Sequence, residues 1–242
     1  MISIYQGKTV NDVWQQAFVE LVKQADDGYE NGSRDGAVVG EVINAAFCVE
    51  DPTRNIVTSK YRKLPMRYAV GELLWYLSGS NKTADIAQFA PKWNELSDDG
   101  VHANSAYGYR ISKKFGFNQW TYVVDLLRKD PDSRQAVIHI KDADNSKTKD
   151  LPCTVYLQFL IREGKLHMMV HMRSNDIWMG VPYDMFSFCA LQMLIAMQLG
   201  VQVGSYTHYA GSLHLYKRDY ETAKHNMEEL NPYGNTQRRE AY

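Results

Sequence analysis

Cysteine is scarce. The 242 residues carry three, Cys48, Cys153 and Cys189, an odd number with no CxxC spacing. That argues against a disulfide framework or a thiolate metal site, and for a reducing compartment, the cytoplasm. An excess of one charge is missing too, since 27 Lys and Arg face 28 Asp and Glu for a formal net charge of −1. No global basic field is there to draw nucleic acid. The longest apolar run, residues 185–201, is broken by Ser187, Gln192, Gln198 and Gly200. It falls short of the roughly 20 residues that span a bilayer, so a buried helix is expected. The opening MISIYQGKTVNDVW lacks the basic and apolar regions of a signal peptide. GxGxxG, the phosphate loop GxxxxGK(S/T), HExxH and GxSxG are all absent, which removes the usual nucleotide-loop, zinc-protease and serine-hydrolase signatures.

What remains is an ordinary globular composition, 45% hydrophobic and 23% charged, long enough for a sizeable core in one domain over residues 1–242. Val13, Trp14, Phe18, Leu21 and Val22 recur at helical spacing, predicting a helix over 9–28 with Thr9 or Asn11 as cap. MRYAVGELLWYLS predicts a second helix over 66–78 that stops at Gly79. Further helices are expected over 83–96 on both sides of Pro91, over 118–129, over 185–200 and over 216–230. Strands are expected at 40–50, after Arg134 in QAVIHIKD, from Cys153 through Gln158, up to Met172, and over 201–216. DDGVHANSAYGYR (98–110) is expected to be loop. Helices and strands mix without regular alternation, which predicts an α+β fold.

Within that frame, residues 151–184 concentrate chemistry. Cys153 follows a proline at the head of a strand-like run, in polar surroundings unlike the apolar ones of Cys48 and Cys189, which are expected to fill core. A second apolar run ends at Arg173-Ser174-Asn175-Asp176, and Asp184 lies shortly beyond. Arg34, in a glycine-rich loop, is either a solvated side chain or a guanidinium reaching for a phosphate. Glu72 interrupts an apolar helix, and both exposure on a polar stripe and functional burial stay open. His167 and His171 share one strand face, but their segment is too apolar for a solvated metal site, and no metal is expected.

In order, GSRDG (32–36), ELLWYL (72–77), AYGYR (106–110), DPDSR (130–134), Pro152-Cys153, RSND (173–176), GVPYD (180–184) and GSLHLY (211–216) resemble the thymidylate synthase family over most of the chain. The chain departs from thymidylate synthase itself at Thr154, where histidine is usual, and at Asp184, where asparagine is usual. It departs also at Gln135, where a second arginine is usual, and at Ser212-Leu213. These departures resemble the deoxycytidylate hydroxymethylases of phages, a branch of the same family. The physical argument runs the same way. A uracil edge offers an N3–H donor and an O4 acceptor, whereas cytosine offers an N3 acceptor and an amino donor. A carboxyl at Asp184 accepts from that amino group and, if protonated, shares a hydrogen with N3; facing uracil O4 it would set acceptor against acceptor.

The resemblance implies a mixed sheet packed with helices, the sheet forming a homodimer interface. It implies Cys153 as a nucleophile adding to pyrimidine C6, activated beside Arg173, with Glu72 handling water and protons and Tyr107 near the C5 proton. It implies Arg34, Arg134, Arg173 and Ser174 at the nucleotide phosphate, Arg134 arriving across the dimer interface. Gln158 is implied at the nucleotide, and His214 with Tyr216 at the deoxyribose. The co-substrate is 5,10-methylenetetrahydrofolate, with Asp176 and Trp93 on its side and Tyr242 in a tail that closes over it. The expected reaction is dCMP to 5-hydroxymethyl-dCMP. Methylation of dCMP, a CMP substrate, a dUMP substrate, and a degenerate scaffold protein are the other readings.

Overall fold

The computed structural model describes residues 2–33, 35–59, 61–143 and 148–230. Its elements begin with β1 (Ser3–Gly7), α1 (Val10–Asp26) and β2 (Val38–Val49). Five helices follow: α2 (Met66–Ser78), α3 (Thr83–Ala87), α4 (Trp93–Leu96), α5 (Tyr107–Ser112) and α6 (Gln119–Lys129). Then come β3 (Val137–His139), β4 (Thr154–Arg162), β5 (Lys165–Met172) and β6 (Asn175–Asp176). The described part ends with α7 (Val181–Leu199), β7 (Gln202–Tyr216) and α8 (Lys217–Leu230).

The strands form one mixed sheet in the order β1-β2-β7-β5-β4-β3, with the two-residue β6 paired to β7. β1 runs parallel to β2 and β5 parallel to β7, while β2–β7, β4–β5 and β3–β4 are antiparallel. Strand alternation sorts the two faces. Leu157, Phe159, Met168, Val170 and Tyr206 turn inward and are completely or almost completely buried. They meet Trp14, Phe18 and Leu21 of α1 and Met185, Phe188 and Cys189 of α7, all fully buried. Each such large apolar side chain stabilises the fold by ~1.5–3 kcal/mol. The opposite face holds Ile4, Gln158, His171 and Tyr209, none of them buried.

Local chemistry accounts for the helix ends. Thr9 caps α1 in a reciprocal box, accepting from Asp12 N at 3.2 Å while its own N–H donates to the Asp12 carboxylate at 2.9 Å. Asn11 instead accepts from Thr58 N at 2.9 Å. α2 spans the expected residues and stops at Gly79, whose φ of 61° is the left-handed turn that glycine adopts without strain.

Three expectations are corrected. α7 starts at Val181, four residues before the expected 185, because Pro182 in the first turn needs no N–H partner there. That extension places Asp184 on a helix rather than ahead of one. Tyr107–Ser112 is helical, not loop; six residues are too few for a period to show. Cys48 is only half-buried on β2, so of the two expected core cysteines Cys189 alone is fully buried.

Candidate active site

The ends of β4 and β5 build the floor. Their antiparallel register sets Thr154 opposite Met172, and Arg173 N donates to Cys153 O at 2.9 Å. Cysteine and arginine are thereby side by side. The Arg173 guanidinium is anchored on the carbonyls of Pro152 and Leu151 at 3.1 and 3.2 Å, and Nη2 lies 3.6 Å from Cys153 Sγ. A cation fixed at that distance favours the thiolate, the nucleophilic form of cysteine.

Above them opens a cavity of about 620 Å³. Ten of the residues singled out from the sequence line it: Glu72, Trp93, Tyr107, Cys153, Arg173, Ser174, Asp176, Asp184, His214 and Tyr216. They come from α2, α4, α5, β6, α7, β7 and the strand ends, so only the tertiary fold assembles them.

Glu72 is buried, 6% exposed, which decides the question its sequence context left open. Tyr68 Oη donates to its Oε1 at 2.7 Å and in turn accepts from Trp93 Nε1 at 3.2 Å. Among the described residues its Oε2 has no hydrogen-bond partner. Burial pushes the carboxyl up to about 7 against the opposing Tyr68 bond, so it takes and gives protons near neutrality. The Asp184 carboxyl is pushed well above the usual carboxylate range, by burial first and then by the Glu72 charge, with the Asn175 amide opposing. Both causes favour its protonated, hydrogen-donating form. Tyr107 accepts from Thr154 N at 3.3 Å, and burial with the nearby Asp184 and Cys153 charges keeps its phenol protonated.

On the other wall His214 and Tyr216 meet edge to face at 4.7 Å. Burial lowers the His214 pKa, which favours a neutral imidazole. Asp176 Oδ1 accepts from Trp178 N and Met179 N at 2.8 and 3.1 Å, and Oδ2 pairs with Arg218 Nη2 at 2.9 Å. Arg218 also lies 4.2 Å over the Tyr216 ring.

Gln158 is not brought to the cavity, and Arg134, expected to serve a neighbouring chain's site, is not at its own. Gln158 lies on the opposite sheet face, where its amide donates to Arg134 O at 3.2 Å, and Arg134 is exposed beside it. The run of apolar residues around Gln158 hid which phase of the strand pointed inward. Arg34 and Tyr242 lie outside the described residues, although Ser33 and Asp35, flanking the former, line the cavity. Tyr68, Asn175 and Arg218 line it without having been foreseen. Tyr68 carried a signal, its i, i+4 spacing to Glu72. Arg218 carried none, sitting at the head of a polar helix. The paired histidines serve the sheet: His167 Nδ1 accepts from Ser205 N at 3.1 Å, and His171 stacks on Tyr156 at 5.4 Å.

A thiol beside an arginine, one carboxyl titrating near neutrality and a second whose burial favours its protonated form line one cavity on a mixed sheet, a set suited to covalent catalysis on a small planar substrate. The thymidylate synthase family model matches residues 16–237, and the chain belongs to that family. The chain is also 31% identical over 231 residues to the deoxyuridylate hydroxymethyltransferase of Bacillus phage SP01. That alignment covers 89% of this chain and 59% of the phage protein, so the chain spans well under two thirds of that relative's length.

Proposed function

We propose that this chain transfers a one-carbon unit from 5,10-methylenetetrahydrofolate to C5 of a cytosine nucleotide, converting dCMP to 5-hydroxymethyl-dCMP. The observation that carries the choice of base is Asp184, a carboxyl on the cavity wall whose burial favours the protonated form. One oxygen accepts from the cytosine 4-amino group and the O–H donates to N3, the donor-acceptor order that uracil lacks.

The Cys153 thiolate adds to C6, and the displaced electron pair makes C5 nucleophilic. Arg173 balances the thiolate before addition and after release. Bound folate supplies C5 with carbon at the oxidation level of formaldehyde. Asp176 and Trp93 fit its side of the cavity, where a carboxylate and an indole edge suit a flat heterocycle with N–H donors. Tyr107 and Glu72 stand where the C5 proton departs, and Glu72 Oε2 is the acceptor that orders a water. The C5 proton leaves, and the bond between the new carbon and the folate nitrogen breaks as that nitrogen takes up a proton. Water then adds to the carbon, its proton passes to Glu72, and the thiolate leaves C6. The net change consumes water and releases tetrahydrofolate with no reductant, whereas methylation would release dihydrofolate.

Hydroxymethylation of dUMP is the second reading, favoured by the activity in the phage relative's name. Offering dCMP, CMP and dUMP together and analysing products by mass separates the readings. 5-Hydroxymethyl-dCMP with tetrahydrofolate is expected. A methyl product with dihydrofolate, or product from dUMP alone, would overturn the proposal.

The open sheet face supports a homodimer. Tyr156, His171 and Tyr209 form a ring stripe across three strands, with centroids 5.4 and 6.0 Å apart, and Ile4, in register with Ala46 and through it with Tyr209, is 59% exposed. A second copy on that face buries the stripe and brings its Arg134 toward the neighbouring phosphate site.

A further inference from the structure

One buried titratable group has no part in this chemistry. His208 on β7 is fully buried, and its Nε2 meets a residue that lines the cavity, Asn175. Asn175 Nδ2 lies 3.0 Å from His208 Nε2 and 3.1 Å from Met172 Sδ, and Tyr206 Oη lies 2.8 Å from His208 Nδ1.

Two hydrogen arrangements satisfy this chain of groups. In one, the Asn175 amide N–H donates to Nε2, and Nδ1–H donates to Tyr206 Oη. In the other, the amide is turned over, Nε2–H donates to its oxygen, and Tyr206 donates to Nδ1. The surroundings choose the first. Asn175 Oδ1 sits where a Cβ on Gly180 would be, 2.2 Å from that position, at the N-terminal end of α7 where peptide N–H groups favour an oxygen. Met172 sulfur, a weak acceptor, faces the nitrogen. A glycine at 180 is therefore required for the amide to reach the helix end.

Asp184 is on the same helix end, its N–H bonded to Gly180 O at 3.0 Å, and it shares the cavity wall with Asn175. The amide nitrogen faces its carboxyl closely enough to favour the charged form. We propose that His208 is a positioning residue for base selection: as a neutral Nδ1–H imidazole it locks the Asn175 amide nitrogen toward Asp184, so that the carboxyl presents one fixed order of acceptor and donor to the base. A turned amide would offer its oxygen to Asp184 and reverse that order. Burial, which holds the imidazole neutral down to about 3, keeps the lock closed through the working pH range. His171 acts on it in the same direction, and Tyr206, whose phenol burial holds protonated, faces its Nδ1.

The proposal rests on Asp184 reading the base, and the test separates the two. The wild-type ratio of kcat/KM for dCMP over dUMP reports on Asp184, and the change in that ratio on altering His208 reports on the lock. In the full chain, ¹⁵N spectra of the histidines are expected to show His208 protonated at Nδ1 and bare at Nε2. His208→Phe is expected to lower the dCMP/dUMP ratio at least tenfold, chiefly through KM for dCMP, while His208→Gln, with an acceptor oxygen near the Nε2 position, restores it. If the phenylalanine chain does not fold, His208→Met carries the same expectation. Equal loss on both substrates, failure of glutamine to rescue, or an Nε2–H tautomer would each overturn the lock. A wild-type preference for dUMP would overturn the base assignment instead, with the tautomer still deciding the lock.

Discussion

At the scale of single residues, Glu72 ties stability to mechanism. Its carboxyl titrates at about 7 in the folded chain instead of 4.5. Below 4.5 it is protonated whether the chain is folded or not, and contributes nothing to pH dependence. As pH rises from 4.5 to about 7, the unfolded chain ionises first and stability falls; above about 7 the whole cost persists. At about 1.4 kcal/mol per pH unit that cost is ~3 kcal/mol. Glu72→Gln is therefore expected to be stabilised by ~3 kcal/mol at pH 8 and hardly at all at pH 4, measured by urea denaturation, while losing turnover. Equal effects at the two pH values would mean that Glu72 is not the buried acid described. Asp184→Asn tests recognition: an amide can complement uracil, so the dUMP/dCMP ratio of kcat/KM is expected to rise by ~10²-fold or more. Cys153→Ala is expected to abolish turnover and any covalent complex with the nucleotide on denaturing electrophoresis, with Tm little changed because the thiol is only half-buried.

At the scale of elements, the contact of α2 with α5 positions Tyr107. Gly108 allows it, because a Cβ there would lie 2.0 Å from Tyr76 O, a backbone atom in α2 that cannot swing aside. Gly108→Ala is expected to destabilise by ~1–3 kcal/mol through a shift of one helix. It is also expected to lower kcat by moving the phenol off Thr154. A chain with unchanged kcat would show that Tyr107 needs no such placement. Secondary structure here was legible wherever a period ran long enough. α1, α2 and α6 showed their apolar stripes, and β4, β5 and β7 their strand-like runs. β1, β6 and α5 did not, being five, two and six residues long. The start of α7 was misplaced because Gly180 and Pro182 look like loop residues until the first turn of a helix gives the proline a use.

At the scale of the molecule, the proposed homodimer sets a second copy on the open sheet face. Tyr209→Glu, putting a charge into the ring stripe, is expected to convert a dimer to a monomer in sedimentation velocity. It is also expected to remove activity if Arg134 serves the neighbouring site. Mixing inactive Cys153→Ala and Arg134→Ala chains is then expected to recover activity, since a mixed dimer holds one complete site. An active monomer would remove the dimer from the mechanism.

The sequence alone determined the class of fold, the long helices, the cysteine-arginine pair and the carboxyl at 184, because those depend on local periods and on motifs whose order survives without coordinates. Only the tertiary structure decided which side chains meet. Glu72 is buried and bonded to Tyr68, Gln158 faces away from the cavity, Arg218 holds Asp176, and His208 stands behind Asn175. Each of these depends on strand phase, helix rotation or contact between residues far apart in the chain, and burial then sets the protonation states. The sequence names the groups; the packing assigns their partners and their protons.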